Sequence, residues 1–307
     1  MNSQEESFER VKGLFNITIT PFQNDGAVDI SALKESVERV IDIGYDGLLI
    51  GGTYGEFSTM DTEERVTVFH TVMDLVNDRV PVLLCTAHSD SRVIFDLTKL
   101  AGDLGGLPMV TAPYVSEVND LHIFDFFKRV SALSPTGIMI YNAPGIGITL
   151  SPDLICQLAE IDGMVALKQG DLNPTSVDIL SGKLHGKIRI LAASDLALLG
   201  PLALGFDGVS STNSCALPEL IHAIFHAISS GNASEAGRLQ RLWYPLRELA
   251  RSYGQPQTTK AIMKMRGWSG GHVRLPLLDL TEDQFSQVQG AVNELAGDID
   301  AQISLAA

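Results

Sequence analysis

The chain has 307 residues, 45% of them apolar, a size that one α/β barrel can reach as a single unit around a large buried core. Its 37 acidic and 22 basic residues give a net charge of −15, which argues against nucleic acid or an anionic membrane surface as a partner, because both select for basic patches. Polar Met1–Arg10 offers no leader-like apolar run, no apolar run of roughly 18 residues occurs, and Cys85, Cys156 and Cys215 form no C-x-x-C pair; a reduced, cytoplasmic protein without a zinc site or disulfide framework is expected.

Short apolar runs alternate with helix-like segments along the chain. The runs are Leu14–Thr20, Gly47–Ile50, Val80–Cys85, Leu107–Thr111, Gly137–Tyr141, Met164–Lys168, Ile188–Leu191 and Gly208–Ser210. Each is nearly continuous in apolarity, as strands of a parallel sheet covered on both faces are. Helix signals stand between them. Asp61 with Glu64 predicts a capping box, and Ser151 before Pro152 predicts an N-cap followed by a first-turn proline. Gly44 and Gly102 read as helix stops or turns. Eight strands with interposed helices predict a (β/α)8 barrel, with a doubly wound open sheet as the alternative. After about residue 217 only helices are expected, over Pro218–Ser229, Ala233–Ser252, Thr258–Met265 and Glu282–Leu295. The expected division is a barrel over 11–225 and a C-terminal helical extension over 226–307, packed on it.

Chemistry in such a barrel gathers at the C-terminal ends of the strands. Lys168 closes the run Gly163–Lys168, where burial would lower its pKa and leave a neutral amine able to attack a ketone and form an imine. An ordinary lysine snorkelling from a strand end is the bland alternative. Tyr141 closes the preceding run, one βα unit earlier, so its phenol can reach the same pocket and carry a proton. After the second strand, Gly51, Gly52, Thr53 and Tyr54 form a loop whose backbone N–H groups and Thr53 hydroxyl suit a carboxylate. Glu56 is expected to brace that loop through backbone N–H groups. Ser210 to Asn213 could bind substrate hydroxyls or cap backbone groups.

G-T-x-G-E after strand two, Y-N-x-P after strand five and a lysine ending strand six resemble the dihydrodipicolinate synthase / N-acetylneuraminate lyase family. The same order and spacing run from about Leu14 to Leu280, with Thr20-Pro21-Phe22 near the first strand and Ser194-Asp195 late in the barrel. The resemblance implies a (β/α)8 barrel, a homo-oligomer (tetramer or dimer), and neither metal nor organic cofactor. It implies that Lys168 is the Schiff-base lysine, that Tyr141 shuttles protons, and that Gly52, Thr53 and Tyr54 hold the carboxylate of pyruvate. Small molecules, a 2-oxo acid and an aldehyde, are the implied partners.

Two positions depart from the pattern. Ile146 stands where the synthases carry an arginine, and Val115 stands where they carry a tyrosine lent by a neighbouring subunit. Tyr54, in place of the second loop threonine, adds a phenol at the mouth. An acceptor or leaving aldehyde with less negative charge is therefore expected. The leading expectation is a Schiff-base lyase or aldolase making or cleaving a C–C bond between a 2-oxo acid and an aldehyde, such as a 2-keto-3-deoxy sugar acid. Alternatives are a keto-deoxy sugar acid dehydratase using the same imine, a dihydrodipicolinate synthase, disfavoured by Ile146 and Val115, and a pyruvate-binding barrel impaired in catalysis. His222 and His226 have i, i+4 metal-ligand spacing but no third ligand, and read as packing residues. His88, Ser89 and Asp90 follow strand three, where they could line the pocket. The acidic end Gly297–Asp300 reads as solvated.

Overall fold

A computed structural model describes residues 1, 3–115, 117–195, 198–298 and 301–305. Eight parallel strands, β1 (Gly13–Ile17), β2 (Gly47–Ile50), β3 (Val82–Cys85), β4 (Leu107–Thr111), β5 (Ile138–Asn142), β6 (Met164–Gln169), β7 (Arg189–Ala192) and β8 (Gly208–Ser211), form a closed barrel in sequence order. The pairing of β1 with β8, Phe15 opposite Ser210 and Asn16 opposite Ser211, rules out the open-sheet alternative. Seven of the eight expected runs end within one residue of the end of the observed strand. The first is shorter than expected, because Thr18 and Thr20 turn away to hydrogen-bond Asn16 Oδ1 and the Gly55 carbonyl, each at 2.7 Å.

Alternation along each strand divides the core in two. Phe15, Leu49, Leu83, Met109, Met139, Ala166 and Leu191 fill the barrel interior. Their neighbours, among them Leu48, Leu84, Val110, Ile140, Leu167 and Val209, face the surrounding helices. Each such side chain, buried outright, contributes about 1.5–3 kcal/mol relative to exposure. The helices match the strands with amphipathic stripes. In Ile30–Ile43, residues Leu33, Val37 and Val40 are buried, Asp29 caps the start, and Gly44 ends it at φ +101°. Asp61 and Glu64 make the expected capping box, and Ser151 caps the helix that Pro152 begins.

Two local expectations fail for physical reasons. Gly102 does not stop its helix, which runs over Ser91–Asp103. Its missing side chain is needed for packing instead: a Cβ there would stand 2.4 Å from the Ser134 hydroxyl. The long helix expected over Ala233–Ser252 is two, Ala233–Leu242 and Tyr244–Tyr253, broken at Trp243 ahead of Pro245. The polar N-terminus forms a helix, Gln4–Arg10, capped by Ser3. That helix closes the N-terminal end of the barrel, where Phe8 stacks on the Arg189 guanidinium at 4.1 Å. Within the acidic end, Ile299 and Asp300 lie outside the described residues. No described helix is long and apolar enough to cross a membrane.

Candidate active site

Lys168 has the same strand parity as Ala166 and therefore points into the barrel. It is 3% exposed at the end of β6. Tyr141, of the same parity as Met139 on β5, is its register partner. The lysine Nζ lies 4.1 Å from the centre of the Tyr141 ring. Desolvation lowers the Lys168 pKa from 10.5 to about 7, only partly opposed by Cys85. A large fraction of the amine is thus neutral at neutral pH and nucleophilic. Burial moves Tyr141 the other way, well above the ordinary phenol value, against the hydroxyl and backbone N–H of Thr53. The phenol therefore stays protonated and can serve as a proton donor.

The Thr53 hydroxyl is 2.7 Å from the Tyr141 hydroxyl. Thr53 sits on the loop after β2, where Gly51 takes φ +63° and a short 3-10 turn runs over Thr53–Gly55. A side chain at Gly52 would meet Leu49 Cδ2 at 2.7 Å, so glycine lets this loop approach the barrel interior without displacing Leu49. Tyr54 is half-buried beside the interior cluster, and burial first, then Asp195 and Tyr141, raise its pKa. The Gly52–Tyr54 loop, Tyr141 and Lys168 thus converge on one end of the barrel, as their spacing predicts.

Glu56 behaves differently from expectation. Its carboxylate does accept one backbone N–H, from Arg274 at 3.0 Å, but its main partner is the Lys260 ammonium at 2.5 Å. Both side chains are almost fully buried. Sequence reasoning missed Lys260 because the partner lies 204 residues away. Asn142 was legible only as part of the Y-N-x-P turn; its side chain pins the loop after β5 by bonding the Leu150 N–H at 2.9 Å and Gln169 at 2.9 Å.

A cavity of about 290 Å³ opens at the same end, between the loop after β2, the ends of β7 and β8, and helix Tyr244–Tyr253. Ser210, Thr212 and Asn213 line it, while Ser211 and Asn213 bond the Asp195 carboxylate at 2.5 and 2.9 Å. The run from Ser210 to Asn213 thus divides between a cavity wall and an internal cap. Asp195 was legible only as part of a motif; its role as the hub of this network was not. Ile146 is half-buried against the interior cluster. Val115 is 48% exposed, and Tyr114 packs close to Gly147. His88 and Asp90 do not line the cavity: Asp90 caps helix Ser91–Asp103, and its N–H bonds His88 Nδ1. His222 packs near the Tyr45 ring.

The dihydrodipicolinate synthetase family profile matches residues 10–295. The chain belongs to that family. Like its other members it is a class I, Schiff-base lyase acting on small molecules. It is 31% identical to 4-hydroxy-tetrahydrodipicolinate synthase 1 of Halalkalibacterium halodurans, over 90% of this chain and 94% of that one. It is 32% identical to the 4-hydroxy-tetrahydrodipicolinate synthase of Acetivibrio thermocellus, over 87% and 91%. Its fold superposes on the crystal structure of a Bacillus anthracis dihydrodipicolinate synthase with a TM-score of 0.87, at 28% identity, covering 92% of this chain and 97% of that one. A Clostridium difficile protein solved in complex with mannosamine shares the fold at a TM-score of 0.87 and 20% identity, covering 93% and 99%.

Proposed function

We propose that the protein joins or splits a 2-oxo acid and an aldehyde through an imine on Lys168. The observation that carries this reading is the pairing of a buried amine, its pKa near 7, with a protonated phenol on the adjacent strand. In the cleavage direction, the Lys168 amine adds to the C2 carbonyl. The Tyr141 phenol gives a proton to the departing hydroxyl, and water leaves. The protonated imine draws in the electron pair of the C3–C4 bond. That bond breaks as the C4 hydroxyl gives up its proton, releasing an aldehyde and leaving an enamine. The enamine takes a proton at C3, and hydrolysis frees pyruvate and the amine. The Thr53 hydroxyl relays the proton of Tyr141. Backbone N–H groups of the Gly52–Tyr54 loop hold the C1 carboxylate, and Ser210 faces the remainder of the substrate.

The names of the relatives support a second reading, 4-hydroxy-tetrahydrodipicolinate synthesis. Ile146 counts against it, since an isoleucine cannot replace a bidentate guanidinium on a carboxylate. The deciding experiment is pyruvate release from a panel of 2-keto-3-deoxy acids, with Lys168→Ala as control. Release of pyruvate together with an aldehyde supports the lyase. Loss of water without pyruvate release indicates the dehydratase, and formation of 4-hydroxy-tetrahydrodipicolinate with consumption of pyruvate indicates the synthase.

A further inference from the structure

The cavity beside Tyr54 has a cationic wall that the imine chemistry does not use. Arg247 and Arg251 both line it from helix Tyr244–Tyr253. Their i, i+4 spacing puts them on one helix face, an arrangement that is unfavourable for like charges unless something neutralises them. Arg247 is only 9% exposed. One of its terminal nitrogens bonds the Gln240 carbonyl at 2.9 Å, while its buried Nε has no partner among the described residues. Its guanidinium lies 5.1 Å from the Trp243 ring and 5.3 Å from Tyr244, and that of Arg251 lies 5.8 Å from Tyr244. The cation pair is therefore shaped by aromatic packing. The ion pairs made by the surrounding helices, Arg238 with Glu235 and Lys260 with Glu56, include neither arginine. One carboxylate, Asp195, stands in the cavity wall, and it is already engaged by Ser211 and Asn213. Two guanidiniums thus face a space with one internally bonded carboxylate, in a protein whose net charge is −15.

We propose that this cavity takes the far end of the second substrate, and that this end is an anion, a carboxylate or a phosphate ester, held by Arg247 and Arg251. The proposal rests on the imine reading above and adds the charge of the substrate. Tyr54 lines the cavity and also packs against the interior cluster that holds Tyr141, so a chain of a few carbons passing it would connect Lys168 to the arginines. Ser210 and Thr212, whose buried hydroxyl has no partner among the described residues, face the middle of that path. The apolar Ile146 suggested a less negative substrate. The arginines instead move the cation from the loop after β5 to the opposite wall, which changes the length and shape of the anion accepted.

The test is calorimetric titration of the Lys168→Ala protein with three 2-keto-3-deoxy acids of equal chain length, ending in a primary alcohol, a carboxylate or a phosphate ester. At least one charged compound should bind about tenfold or more tightly than the alcohol, as charge-assisted hydrogen bonds require. Which one does so separates carboxylate from phosphate. Arg251→Gln, a substitution at an exposed position, should remove most of that preference and leave the alcohol unchanged. Arg247→Lys should weaken it while keeping a charge. Equal affinities, no binding of either charged compound, or a preference that survives both substitutions would overturn the proposal. Pyruvate trapping by borohydride on the wild-type chain, run in parallel, reads the imine chemistry separately.

Discussion

Lys168 and Tyr141 are register partners on adjacent strands, with the amine 4.1 Å from the centre of the phenol ring. Burial acts on both and drives their pKa values apart, one down to about 7 and the other up. The two states that burial favours, a neutral amine and a neutral phenol, are those that imine formation needs at its start.

The rate of imine formation should follow the unprotonated fraction of Lys168. It should rise with pH, bend near 7 and then level, whereas an ordinary lysine would keep gaining to about 10.4. Stopped trapping of pyruvate at a series of pH values measures it. A rate still climbing steeply at pH 9 would show that the lysine is not desolvated in solution.

The same desolvation costs stability. Lys168 has a lowered folded-state pKa, so between about 7 and 10.5 the unfolded chain binds more protons and stability rises with pH. Lys168→Met should therefore stabilise the fold by up to about 4 kcal/mol at pH 7. The gain should shrink toward pH 10.5. Denaturant midpoints for both proteins at pH 7 and pH 10 check the size and the sign.

Tyr141→Phe removes the proton donor and keeps the packing. It should lower kcat about 10²–10⁴-fold. Thr53→Val, which deletes the 2.7 Å contact to that phenol, should give a smaller loss in kcat, with the thermal midpoint nearly unchanged because Thr53 lies at the exposed mouth.

The buried Lys260–Glu56 pair makes an independent stability prediction. Lys260→Met leaves the Glu56 carboxylate buried with only the Arg274 N–H, and should cost about 3–5 kcal/mol. The double substitution Lys260→Met with Glu56→Gln should recover much of that. Chemical denaturation of the single and double variants measures the coupling.

The sequence made the barrel legible because each strand is covered on both faces and so reads as a short apolar run. Lys168 and Tyr141 stood out because a charged and a phenolic group ended such runs one βα unit apart. What was hidden depended on distance along the chain. Glu56 finds Lys260, and Asp195 finds Asn213 and Gln240, only after the barrel and the C-terminal helices are packed. The break at Trp243 was hidden too, and with it the orientation of the helix that turns Arg247 and Arg251 toward the cavity.

Borohydride reduction in the presence of pyruvate, followed by intact mass and peptide mapping, tests the central claim most directly. The imine reading predicts a single adduct of about 72 Da on Lys168, pyruvate less water plus two hydrogens, and none in Lys168→Ala. An unmodified chain, or an adduct on another lysine, would contradict it.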